Sequence, residues 1–256
     1  ARKRASNYAL ARGGLQSGEP PMTVYVSAQA HSSVDKAATL AGFGMANVRH
    51  IETDAEFGMR PEPLRAAIEK DKAAGLKPCA IVATVGTTAT TAVDPLGPIG
   101  KIAKEFGLWL HVDAAMAGSA MILPECRWMF DGIEQADSLV LNPHKWLGVA
   151  FDCSTYFVQD PEHLIRVMST NPSYLQSNVD GAVANLRDWG IPLGRRFRAL
   201  KLWFVLRSKG VAVVTRSRLA SSPPGASPNA RGLRSSANNA WRRSARCVPV
   251  SGGAVL

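Results

Sequence analysis

Along residues 21–210 the apolar positions switch repeatedly between a period near two and a period near 3.6. TVYVSA (23–28) is rich in β-branched and aromatic residues and predicts a strand. SSVDKAATLAGFG (32–44) predicts a helix capped by Ser32 or Ser33 and stopped by glycine. NVRHIE is strand-like. PEPLRAAIEKDKAAG (61–75) reads as a helix with proline near its start and Gly75 at its end. CAIVATVG (79–86) is an apolar run of buried-strand type, and PLGPIGKIAKEFG (95–107) a helix ending at Gly107. LWLHVDAA (108–115), DSLVLNP (137–143) and CSTYFV (153–158) predict three more strands, with one helix-sized segment between the first two. RRFRALKLWFVLRSKG predicts a last helix that stops in mid-pattern. This βαβα order predicts an α/β fold with a mostly parallel central sheet and helices on both faces. Such sheets bind ligands beyond the carboxyl ends of their strands. Gly86, Thr87, Thr88, Asp113, Asn142, His144 and Lys145 all fall at or just past predicted strand ends.

Charge divides the chain differently. The formal net charge is +10, but residues 21–210 hold nineteen basic and nineteen acidic side chains. Residues 1–20 carry four basic groups against Glu19, and residues 211–256 carry seven arginines with no acid and no lysine. A neutral body argues against a phosphate-binding face, so no nucleic-acid partner is expected. No apolar run approaches the roughly 18 residues of a membrane span, and ARKRASNYALARGG lacks the apolar region of a signal peptide. Cys79, Cys126, Cys153 and Cys247 form no CxxC pair, which fits a reducing cytoplasm better than zinc or disulfides. The expected organisation is a remnant of a preceding helix and loop (1–20), one large domain (21–210) and an Arg/Ser/Pro-rich tail (211–256). That tail is expected to be disordered or the product of a shifted reading frame.

Three side chains suggest chemistry. Lys145 in LNPHKWLG directly follows a strand, where a lysine amine can be desolvated and made nucleophilic for Schiff-base formation. Most lysines are merely solvated, so the neighbours matter. Asp113 ends a strand 32 residues earlier; a carboxylate there can pair with a protonated ring nitrogen, or simply cap a helix. His31 follows the first strand, where an imidazole could stack on a flat ring or serve as an ordinary polar helix start. His111 and Asp113 also spell HxD, the start of a two-His-one-carboxylate iron site, but that site normally sits on an all-β barrel.

SAQAHSSVDKAA, VGTTATTAVDPLGPI, HVDAAMAGSA, LNPHKWLG, STNPSYL and DWGIPLGRRFRALKLWF together resemble, in order and spacing, the pyridoxal-phosphate (PLP) dependent group II decarboxylases of the aromatic-L-amino-acid decarboxylase type. The resemblance covers about residues 1–210. It implies the type I fold of PLP enzymes (large domain), a cytoplasmic homodimer, PLP as cofactor and an aromatic L-amino acid as substrate. It implies that Lys145 carries the cofactor, Asp113 faces its ring nitrogen, His31 stacks over the ring and Thr88 contacts the ring surroundings. Asn142 and His144 would line the phosphate and Schiff-base side. Tyr174 would return a proton to Cα after carbon dioxide leaves. A glutamate-type decarboxylase or an aldehyde-forming relative is the alternative within the family. Against the family pattern, the chain opens after the Gly/Ser-rich phosphate-binding segment, and the Arg-rich tail stands where a small C-terminal domain is expected. A fragment with impaired activity is therefore the expectation. Met116 stands where many relatives carry an aromatic residue, which alters the expected substrate pocket.

Overall fold

The computed structural model describes residues 1–8, 14, 18–170 and 186–210. Its centre is a six-stranded sheet in the order β2-β1-β3-β4-β5-β6. The strands are β1 Met22–Ser27, β2 Val48–Ile51, β3 Lys77–Thr84, β4 Trp109–Asp113, β5 Ser138–Leu141 and β6 Thr155–Val158. The first five run parallel, and β6 pairs antiparallel with β5. The helices are α1 Arg2–Ala5, α2 Ser33–Leu40, α3 Pro61–Ala73, α4 Leu96–Phe106, α5 Pro161–Met168 and α6 Arg198–Lys209. This mostly parallel sheet with covering helices is the predicted α/β arrangement.

The strands' composition follows from their burial. All six residues of β1 and the last six of β3 are buried, so these strands read as continuous apolar runs rather than alternating ones. On one face, Tyr25, Ile81, Leu110 and Val112 pack beneath Leu64 and Ile68 of α3 and Ile99, Ile102 and Ala103 of α4. Each large side chain fully buried here contributes roughly 1.5–3 kcal/mol of transfer free energy. On the other face a smaller cluster joins Val24, Val26, Ala80 and Val82 to Ala38 of α2, with Val34, Phe43 and Trp109 packed against it. Strand β4 shows the asymmetry directly, because Leu110 and Val112 are buried while Trp109, His111 and Asp113 are only half-buried.

Two sequence expectations need correction. The segment between β4 and β5 is not an α-helix but a series of 3-10 turns, Gly118–Ile122, Pro124–Phe130 and Ile133–Gln135. Pro124 and the left-handed Gly132 (φ 97°) interrupt it, and a Cβ on Gly118 would lie 2.6 Å from the Leu141 Cβ. Ser32 occupies the cap position of α2 but makes no side-chain cap bond, and the Ser33 hydroxyl turns to His31 instead. The expected tail, residues 211–256, lies outside the described residues.

Candidate active site

The chain leaves β1 toward β2 on one side and leaves β3 toward β4 on the other, so the carboxyl ends of β1 and β3 face a topological switch point. A cavity of about 520 Å³ opens beside it. Its wall brings together His31 after β1, Gly86 and Thr88 after β3, Asp113 at the end of β4, and Asn142 and Lys145 after β5. Val82, Thr84, His111, Met116, Val140 and Ser154 complete much of the lining.

Each segment is held by its own bonds. The loop after β3 closes on itself through a Val85–Val93 bridge, with Gly86 N–H donating to the Ala92 carbonyl at 2.9 Å. Gly86 is left-handed (φ 80°), and a Cβ there would stand 2.6 Å from the Ala117 Cβ. Thr87 Oγ1 meets Thr90 Oγ1 at 2.7 Å and accepts the Ala92 N–H at 3.0 Å. Asp94 locks the base of the loop, accepting Thr84 N–H and Met59 N–H at 2.7 Å each. Burial raises the Asp94 carboxyl to about 6, against the pull of those two N–H groups. The VGTTATTAVD motif thus builds a closed loop that carries Thr88 to the cavity.

Asp113 accepts the Ala115 N–H on Oδ1 at 3.0 Å, and its carbonyl accepts Val85 N–H at 2.9 Å. One carboxylate thereby orders the turn leaving β4 while keeping acceptor capacity for a ligand. Lys145 sits in a turn closed by its own N–H to the Asn142 carbonyl at 2.8 Å. That turn is anchored from behind by Leu147, Val149 and Cys153, which pack with Trp146, Ile122 and, from α6, Leu202 and Val205. The Asn142 Oδ1 is buried without a hydrogen-bond partner among the described residues. His31 is exposed at the start of α2, with Nδ1 2.8 Å from Ser33 Oγ.

Five of the residues singled out from the sequence therefore share one cavity: His31, Thr88, Asp113, Asn142 and Lys145. His144 does not line it. Its Nδ1 lies 2.7 Å from the Cys153 carbonyl oxygen, and its ring meets Phe151 edge-on at 4.8 Å. Tyr174 lies outside the described residues. Sequence reasoning missed His111 as part of this wall, because HxD drew attention to metal ligation. The alternation of WLHVD was the available signal, since it puts positions 109, 111 and 113 on one face. His111 bonds Ser138 through Nδ1 at 2.9 Å. Burial lowers its affinity for a proton, partly offset by Asp113.

Residues 19–218 match the model of the pyridoxal-dependent decarboxylase conserved domain. A tryptophan decarboxylase of Camptotheca acuminata is 52% identical over 193 residues, covering 74% of this chain and 38% of the relative. The chain thus spans well under half the length of the curated relatives it matches. Among solved structures, Oryza sativa TDC with PLP and tryptamine superposes with a TM-score of 0.76 at 44% identity, over 83% of this chain and 44% of that one. Rhodiola rosea 4-hydroxyphenylacetaldehyde synthase gives 0.72 at 39% identity, over 83% and 43%. By its motifs, its sheet and this match across most of its length, the chain belongs to the pyridoxal-dependent decarboxylase family.

Proposed function

We propose that this chain forms the PLP-holding part of a decarboxylase that converts an aromatic L-amino acid to its amine and carbon dioxide. The observation that carries the reading is the convergence of Lys145, Asp113, His31, Thr88 and Asn142 on one cavity at the carboxyl edge of the sheet. The residues fit the group. The cavity, about 520 Å³, falls in the usual range for small-molecule sites. It offers an amine, a carboxylate and a flat imidazole, and the buried Asn142 Oδ1 has no donor among the described residues.

Lys145 would hold the cofactor through its amine, on a turn fixed by the Leu147–Val149–Cys153 cluster. Asp113 would accept a hydrogen bond from the protonated ring nitrogen, with the carboxylate capacity that Ala115 leaves open. His31, tied back to Ser33, would supply a flat wall, and Thr88 would bound the ring from the β3 loop. Bound there, PLP supplies the electron sink for the pair released when the Cα–carboxylate bond breaks. Tyr174 is the proposed donor of the proton that returns to Cα. Met116, on the cavity wall, replaces aromatic contact with a flexible thioether on the substrate side.

A homodimer is part of the same reading. Its support is the exposed apolar surface of α6 and the segment before it, where Ile191 is 93% and Phe197 75% exposed, with Trp203 and Phe204 half exposed. A cytoplasmic setting is supported by Cys79, Cys126 and Cys153, which are buried free thiols. Among the described residues no helix is long and apolar enough to cross a membrane.

The test is to supply the full chain with PLP and an aromatic L-amino acid, and to identify the products. Amine and carbon dioxide in equal amounts support the reading. An aldehyde product instead selects the second reading, which the likeness to the Rhodiola rosea synthase favours. Failure to take up PLP contradicts both.

A further inference from the structure

Two residues before Asp113 on the same face of β4 stands His111, and both line the same cavity. His111 is register-paired with Ser138 of β5, and its Nδ1 lies 2.9 Å from the Ser138 Oγ. The Trp109 indole Nε1 donates to that same hydroxyl oxygen, also at 2.9 Å. An indole N–H can only donate, so Ser138 accepts there, and its hydroxyl hydrogen can be given to His111 Nδ1. A neutral ring that accepts on Nδ1 carries its hydrogen on Nε2. The Nδ1 edge is engaged by Ser138. The ring also stacks on Tyr156 of β6, centroids 6.2 Å apart and planes 30° apart.

Burial, the largest influence, favours the neutral ring; the Ala1 ammonium acts the same way, while Asp113 and the Ser138 backbone pull toward the charged form. Neutrality suits the position. An imidazolium would compete with a protonated cofactor ring for the Asp113 carboxylate. A neutral N–H donor can support the carboxylate without adding a rival charge.

We infer that His111 is a positioning residue for Asp113, its ring fixed by the Trp109–Ser138 pair so that the Nε2 hydrogen is presented on the cavity side to keep the carboxylate aimed. The inference rests on the proposed role of Asp113 toward the PLP ring nitrogen. Partners that orient a ligating group commonly matter by about 10–100-fold in affinity or activity when removed.

The experiment uses the full chain with PLP. It compares wild type, His111→Leu, His111→Gln and Ser138→Ala by PLP dissociation constant, absorbance spectrum of the bound cofactor, borohydride fixation at Lys145 and urea midpoint. His111→Leu is expected to weaken PLP binding by about 10-fold or more and to shift the spectrum toward an unprotonated ring nitrogen. His111→Gln, which can restore a side-chain N–H donor, should recover most of the affinity and the spectrum. Ser138→Ala should cause a smaller loss of the same kind. Unchanged affinity and spectrum in His111→Leu would overturn the inference. So would a loss in His111→Gln as large as in His111→Leu and tracking the urea midpoint, which marks a purely structural role. Absence of fixation at Lys145 in the wild type would instead remove the cofactor reading itself, and the inference with it.

Discussion

On one face of the sheet, Leu110 and Val112 of β4 are fully buried beneath α3 and α4; on the other, Trp109, His111 and Asp113 of the same strand stand half open. The covered face is filled mostly by aliphatic side chains, with Tyr25 O–H donating to Asp71 as its buried polar tie, so its contribution is stability. The open face carries an imidazole, a carboxylate and an indole, each joined to a named partner. A strand of five residues thus divides its labour by alternation alone. The candidate site is thus the part of this sheet that packing leaves unfilled, and substitutions on the two faces should fail in different ways.

The largest effect is expected on the open face. Asp113→Asn should reduce turnover on the order of 10²-fold or more, because the ring nitrogen loses its charged partner. The urea midpoint should move little, since Asp113 is only half-buried. Steady-state kinetics beside chemical denaturation checks both halves. An unchanged kcat would take Asp113 out of the chemistry.

The covered face should show the opposite pattern. Leu110→Ala removes a fully buried side chain from the main core and should cost about 2–5 kcal/mol of stability. The molecules that remain folded should bind PLP as before. A midpoint unchanged from wild type would mean that this face is not the core described.

Asp94 joins the two regions, tying the end of β3 to Met59 beside the α3 start. Its folded value of about 6 lies above the ordinary value near about 3.9, so the folded state holds this proton more tightly than the unfolded chain. The associated stability is therefore fully present below about pH 4 and lost as pH rises through about 6. The advantage of wild type over Asp94→Asn should shrink between about pH 4 and pH 7, by about 2 kcal/mol. Urea midpoints of the pair across that range decide it. An advantage that grows with pH would mean the carboxyl is not raised.

The smallest effect belongs to the exposed loop after β2. Asp54 orders this loop, because its Oδ1 accepts N–H groups from Glu56 and Gly58 at 2.9 Å each. Glu56, exposed beside it, is the better neutral control. Glu56→Gln should leave both melting temperature and PLP binding unaltered, whereas Asp54→Ala should lower the melting temperature by a few degrees.

The strand and helix order was legible because each strand is a short apolar or alternating run bounded by glycine, proline or a polar cluster. Lys145, Asp113, His31, Thr88 and Asn142 were legible because ligand-facing groups collect past strand ends. Pairing was not. Periodicity assigns a face but says nothing of neighbours, so the β2-β1-β3 order and the antiparallel β6 emerge only in three dimensions. The crossover from β4 to β5 read as helix-sized because its length was right, while glycine and proline broke it into 3-10 turns. His144 sits beside Lys145 in sequence, yet its ring turns to the Cys153 backbone, since adjacent residues in a turn need not face the same way. The Trp109–Ser138–His111 set spans two strands, so no local pattern could reveal it.

The most direct test of the central claim is covalent. The full chain is incubated with PLP, reduced with borohydride, digested and mapped by mass spectrometry. One dominant modified peptide is expected, with the phosphopyridoxyl group on Lys145, and its loss in Lys145→Ala. A label spread over surface lysines such as Lys70, Lys101 and Lys104, with Lys145 unmodified, would contradict it.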